Sequence, residues 1–142
     1  MPMTRKQKTD LLRRVDLFGA VSARSLGLIA DAAVDLAFPA GEYIVRQGQI
    51  GTGFYLIVGG RVRVLRGSER LAHLGPGEFF GELSVLDQAP RMAHVIAEEP
   101  TICLALASWD LTRLLEKNPR IALAMLRVVA RRLRATADHP RH

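Results

Sequence analysis

An acid and a base with a glycine beside them mark the stretch of this chain best suited to chemistry. Phe79-Phe80-Gly81-Glu82-Leu83-Ser84-Val85-Leu86 is followed by Asp87-Gln88-Ala89 and then by Pro90-Arg91-Met92-Ala93-His94-Val95. Gly81 can adopt backbone shapes closed to other residues. Glu82–Leu86 has the length of one helical turn, whose unpaired N–H groups would form a seat for an anion. Arg91 stands behind Pro90 and just before a β-type run, where a guanidinium can grip a phosphate through two N–H groups. Glu82 would repel a phosphate but can accept a hydrogen bond from a sugar hydroxyl. A carboxylate for the sugar, with Arg91 and main-chain amides for the phosphate, is the division of labour a nucleotide requires. The same two residues could instead pair with one another as a structural ion pair, and spacing alone leaves both readings open.

Other chemistries find less support. His73, His94, His139 and His142 have no ligand spacing, so no metal site is expected. His94 reads as a partly buried strand residue. The single cysteine, Cys103, lies in an apolar run and reads as a small buried hydrophobe; it excludes an internal disulfide. No motif supports a Ser-His-Asp or Cys-His constellation, and no catalytic residue is assigned. Trp109 and Met125 read as packing residues.

The elements that would position Glu82 and Arg91 follow from glycine distribution and periodicity. All 12 glycines lie between Gly19 and Gly81. Most punctuate short β-type runs: Glu42–Arg46, Gly53–Val58, Arg61–Arg66, Leu71–Leu74, His94–Ala97 and Thr101–Leu106. Gly59-Gly60 is a two-residue hairpin signal, and strict alternation puts Val62 and Val64 on one face. Many short strands argue for a sandwich, jelly roll or barrel. Ser22 caps a short helix reaching Ala33, Ser108 reads as the cap of a helix over 109–117, and Pro119 opens a second over about 119–136. In the run 121–130 only Arg127 is not apolar, so that helix must be covered on more than one side.

Net charge is +6 in 142 residues, with 49% hydrophobic and 24% charged residues. Those values fit one folded domain with a proper core and exclude wholesale disorder. No run approaches a membrane span, and no apolar stretch follows the charged N-terminus as in a secretory signal. A cytoplasmic protein is expected. The basic excess sits at the two ends, 1–14 and 120–142, while the middle is acidic. This is a poor footprint for a module tracking a nucleic-acid groove, so nucleic acid is not an expected partner.

Gly81-Glu82-Leu83-Ser84 and Pro90-Arg91-Met92-Ala93-His94-Val95 resemble the phosphate-binding cassette of cyclic nucleotide-binding domains, as in catabolite activators and regulatory subunits of cAMP-dependent protein kinase. The likeness extends over 41–48, 53–64, 115–119 and 130–134, nearly the whole chain. It implies a mainly β fold with flanking α: a double-stranded β-helix, or jelly-roll β-roll, with a short N-terminal helix, a short cassette helix and two C-terminal helices. The implied organisation is an N-terminal basic segment (1–20), a β-roll (21–107) with its cassette at 79–95, a helical hinge and lid (108–137) and a tail (138–142).

Carried over by position, Glu82 accepts from the ribose 2′-hydroxyl, Arg91 pairs with the cyclic phosphate, and the amides of Ser84 and Met92 complete the cage. Val64, Leu71 and Leu74 form the apolar wall around the base, or else plain core. Thr136 contacts the adenine amine, or else is a surface helix residue. Family members carry a small residue after the arginine, where a threonine favours guanine. Met92 offers no hydroxyl, which leans the ligand towards cAMP, with cGMP the alternative, though its bulk could weaken either.

The resemblance thus implies a regulatory module, not an enzyme, with no cofactor beyond this ligand. Occupancy would draw 81–92 inward, change the room available to Leu114 and Leu115, and swing the long helix over the base. A homodimer through the 119–136 helix and a downstream protein are the expected partners. Alternatives are the sensor part of a catabolite-activator-type regulator without its DNA-binding helix-turn-helix, and a scaffold that keeps the shape without the ligand.

Overall fold

The structure, a computed structural model, describes residues 2–19, 21–50 and 53–138; within these, the side chains of 83, 84, 87 and 136–138 are outside the description. Among the described residues, eight strands make two four-stranded antiparallel sheets. The first has the order β1 (Val34–Phe38), β8 (Thr101–Ala107), β3 (Gly53–Gly59), β6 (Phe79–Phe80). The second runs β2 (Tyr43–Val45), β7 (His94–Ala97), β4 (Val62–Arg66), β5 (Glu69–Leu74). This is the expected jelly-roll arrangement with flanking helices.

Alternation along β3 and β8 divides the core in two. Ile57 and Cys103 point between the sheets, where they meet Val62, Leu74, Phe80 and Val95. Phe54, Leu56, Leu104 and Leu106 point the other way, into a cluster closed by helices α1 (Arg5–Arg14), α2 (Ala23–Ala32), α4 (Ser108–Lys117) and α5 (Pro119–Asp138). A side chain such as Ile57, wholly buried, contributes about 1.5–3 kcal/mol relative to exposure. Burial also pushes the Cys103 thiol up to about 12, as expected of an inert packing cysteine.

Several local expectations need correction. Gly59-Gly60 does not join a hairpin: β3 and β4 belong to different sheets, and the chain crosses between them here. Gly60 has φ +88, and a Cβ on it would lie 2.5 Å from the Pro100 carbonyl oxygen, so the corner is packed onto the β7–β8 connection. The buried Thr101 hydroxyl closes that corner by accepting from the Arg61 N–H and donating to the Glu99 carbonyl. Ser108 is the first residue of α4 and not its cap; Ala107 holds that position without a side-chain bond. Trp109 is exposed, whereas Met125 is buried as expected.

Three elements went unread, one of them a short helical turn over Asp16–Phe18 whose Leu17 and Phe18 are core. Residues 5–14 form a helix with a Thr4–Gln7 capping box, and its Leu12 is core. Val34–Phe38 is an edge strand paired to β8. Ser22 does cap α2, accepting from the Ser25 N–H at 3.2 Å. The expected tail, apart from the backbone of Asp138, lies outside the described residues.

Candidate functional site

The site grows from the end of β6. Its two phenylalanines serve the two cores: Phe79 lies 5.5 Å from Phe54 on the helix side, and Phe80 stacks on Tyr55 at 5.0 Å between the sheets. The strand then stops at Gly81, whose φ is +92. A Cβ here would come within 2.7 Å of the Gly53 carbonyl oxygen and 2.8 Å of Arg91 Nη1, so only glycine lets these three groups meet. From this turn starts α3 (Glu82–Asp87), the single helical turn expected after Gly81.

Arg91 is held from below. Its Nη1 donates to the Gly81 carbonyl at 3.0 Å and its Nη2 to the Gly53 carbonyl at 2.8 Å. Main-chain bonds from Arg91 N to Gln49 O and from Gly48 N to Arg91 O fix its backbone. The residue is only 7% exposed, and burial pulls its pKa down from the ordinary arginine value, an effect opposed by Tyr55 and Glu82. Arginine remains charged regardless. A guanidinium has five N–H donors; two are taken by these carbonyls.

Glu82 is 4% exposed, and among the described residues its Oε1 accepts no hydrogen bond. Desolvation raises its pKa, against the lowering effects of its own N–H, Arg132 and Arg91. Among the described residues no ion pair joins Glu82 to Arg91. The structural ion pair that spacing left open is therefore not formed, and each group faces the space between them.

That space is a cavity of about 640 Å³. It is lined by Gly81, Glu82, Arg91, Met92 and Ala93 of the cassette and by Val45, Val64, Leu71, Ala72 and Leu74 of the second sheet. The expected apolar wall thus borders the hollow; Leu74 is buried, Val64 half-buried and Leu71 exposed at its edge. Met92 is 60% exposed, so its bulk stands at the rim and leaves the interior open. Pro90 is exposed and forms an isolated bridge to Ile50. Leu83 and Ser84 lie in α3 with their side chains outside the described set, as does that of Thr136 in the last turns of α5. His94 is half-buried, accepts from the Gln47 N–H through Nδ1 and meets Tyr43 edge-on, as read.

Several lining residues were missed, Val45, Arg66, Glu69 and Ala72 among them, and one more bears directly on Glu82. Arg132 of α5 reaches over the cavity, donates to the Phe79 carbonyl at 2.7 Å, lies 4.7 Å from the Phe79 ring centre and brings Nη1 to 3.7 Å from Glu82 Oε1. It sits in the run Arg131-Arg132-Leu133-Arg134, which reads as surface. Its helical offset from the buried Ile121 and Met125 and the half-buried Val128 was the available signal, since all four share one stripe.

A buried cation with unused donors, a buried carboxylate whose Oε1 accepts no hydrogen bond among the described residues, and a set of apolar side chains share one cavity, an arrangement able to take a small anionic ligand that carries a hydroxyl and an apolar ring. Comparison with known proteins agrees. The family model described as "Cyclic nucleotide-binding domain" matches residues 35–118, and the chain belongs to that family. It is 42% identical over 119 residues to the cyclic AMP receptor protein of Thermus thermophilus, covering 75% of this chain and 55% of that protein. It is 34% identical over 140 residues to a CRP-like cAMP-activated global transcriptional regulator of Mycobacterium tuberculosis, covering 92% and 60%. Among solved structures, the regulatory domain of Toxoplasma gondii PKA with cAMP superposes with a TM-score of 0.81 at 27% identity, over 89% of this chain and 50% of that one. The chain spans little more than half the length of the curated relatives it matches. No helix among the described residues is long and apolar enough to cross a membrane, and no group of three or more metal-ligating side chains occurs among them.

Proposed function

We propose that this chain binds a cyclic nucleotide, cAMP before cGMP, in the cavity above Arg91 and transmits its presence through α4 and α5. The observation that carries this is the buried guanidinium of Arg91, fastened by two carbonyls yet facing the hollow. The cyclic phosphate takes the remaining N–H groups of Arg91 together with the amides of Ser84 and Met92. Glu82 accepts from the ribose 2′-hydroxyl, and the base lies against Val64, Leu71 and Leu74. The role is binding, not catalysis, and relatives named as receptors and regulatory subunits support it.

Transmission follows from shared packing. Val85 of α3 lies in the same apolar cluster as Leu111 and Ile121, with Leu114 and Leu115 packed against it. A phosphate that shifts α3 must repack that cluster and so move α4 and α5, which act as hinge and lid. Only a difference in affinity between the two arrangements can drive the change. Leu123 and Leu126, three residues apart on α5, are exposed and do not line the cavity, a seam for the same helix of a second copy. The sensor part of a transcriptional regulator is the second reading, favoured by the identity to the Thermus and Mycobacterium proteins. Calorimetric titration with cAMP and cGMP tests the proposal. Saturable one-site binding is expected, tighter for cAMP; absence of binding of either at millimolar ligand overturns it.

A further inference from the structure

Away from Arg91, Glu82 and Arg132, the cavity is bordered by two more charged side chains, Arg66 and Glu69. They face each other across the tip of the β4–β5 hairpin, in register, on either side of Gly67-Ser68. Val62, Val64 and Arg66 alternate onto one face of β4, so a ring lying on Val64 would have Arg66 one step further out. The tip is anchored, because the Gly67 N–H donates to Gln47 Oε1 at 2.7 Å and Gln47 is itself held by His94. Arg66 Nη2 and Glu69 Oε1 stand 4.0 Å apart. That is a loose pair, with donors and lone pairs left for a third group.

We infer that Arg66 and Glu69 together read the outer edge of the base and select a purine bearing an amine over one bearing a carbonyl at the 6 position. This rests on the ligand class proposed above and specifies its base. An adenine edge presents an acceptor, N7, beside a donor, the 6-amine, whereas a guanine edge presents two acceptors, N7 and O6. A guanidinium donor alongside a carboxylate acceptor complements the first pattern. Against the second, the carboxylate of Glu69 faces O6, two acceptors with no proton between them, while Arg66 alone would suit both guanine atoms. Glu69 is therefore the discriminating member, and its removal frees Arg66 for guanine.

The test is calorimetry of the wild type, Glu69→Ala and Glu69→Asp with cAMP, cGMP and the cyclic phosphate of unsubstituted purine riboside. Wild type is expected to prefer cAMP. Glu69→Ala narrows the cAMP-to-cGMP affinity ratio by about 5- to 150-fold, the range of one paired base contact, mainly through tighter cGMP. It also stops distinguishing cAMP from the unsubstituted purine. Glu69→Asp, with the carboxylate drawn back, shifts the ratio the same way by less. Glu69 is exposed at a turn, and unfolding temperatures close to the wild type's are expected for both variants. A ratio unchanged in Glu69→Ala, or a wild type preferring cGMP, overturns this inference and leaves the cyclic-nucleotide reading standing. A wild type that binds none of the three overturns both.

Discussion

Gly81→Ala separates what the cassette turn does for the fold from what it does for the ligand. At φ +92 an alanine carries backbone strain of about 1–3 kcal/mol. For a chain of 142 residues this lowers the unfolding temperature by about 3–10 °C. The new Cβ would also lie 2.7 Å from the Gly53 carbonyl and 2.8 Å from Arg91 Nη1, so the guanidinium must move off its two carbonyl anchors. Losing one well-placed charged hydrogen bond to the ligand costs about 1.5–3 kcal/mol, or about 10- to 150-fold in affinity. Gly41→Ala is the control: its φ is +88, but a Cβ there meets nothing within 4 Å. Thermal unfolding and cAMP calorimetry on both variants give the comparison. Both should lose stability, Gly81→Ala the more because its Cβ meets backbone as well as carrying the strain, and only Gly81→Ala should lose affinity. Wild-type affinity in Gly81→Ala, or an equal loss in Gly41→Ala, refutes the argument that this glycine exists to admit Arg91.

Glu82 has a carboxyl pKa raised by burial, so the folded protein binds more protons than the unfolded chain between the ordinary carboxylate pKa and the raised one. Its contribution to stability therefore falls as pH rises through that window, and the advantage of Glu82→Gln over wild type should grow there and level off above it; urea unfolding of both from pH 4 to 8 checks this, and a constant difference would contradict it. Arg132→Ala removes the donor to Phe79 and the cation nearest Glu82, so hydrogen exchange should quicken in the last turns of α5, with cAMP weakened and α1 unchanged. Leu126→Glu puts a charge in the exposed seam of α5 and should convert a dimer to monomer by sedimentation; a wild type monomeric at high micromolar concentration removes the seam proposal.

How much of this was readable in the residues depended on whether the signal was local. Strands such as Arg61–Arg66 declare themselves through alternation, and the helical turn after Gly81 through the glycine and its followers. Gly59-Gly60 misled because a two-glycine turn looks alike in a hairpin and at a corner between sheets; the difference lies in Thr101 and Pro100, forty residues away. The helix over 5–14 was hidden because six of its ten residues are charged, and its single deep anchor, Leu12, gives no periodicity. In the site, Glu82 and Arg91 were legible from spacing and resemblance. That they stay apart, each turned to one hollow, depends on carbonyls at Gly53 and Gly81 that no side-chain pattern records. Arg132 was missed because its neighbours Arg131 and Arg134 are exposed, and charge drew attention from the stripe it shares with Ile121 and Met125.

The central claim is that the buried guanidinium of Arg91 awaits the phosphate of a small cyclic nucleotide. Calorimetry of wild type and Arg91→Ala with cAMP, with unfolding recorded alongside, tests it most directly. Truncating one member of a buried charge pair costs about 2–5 kcal/mol, so affinity should fall by about 30-fold to several thousand-fold while the variant still unfolds cooperatively. Equal affinity in the two proteins would contradict the account.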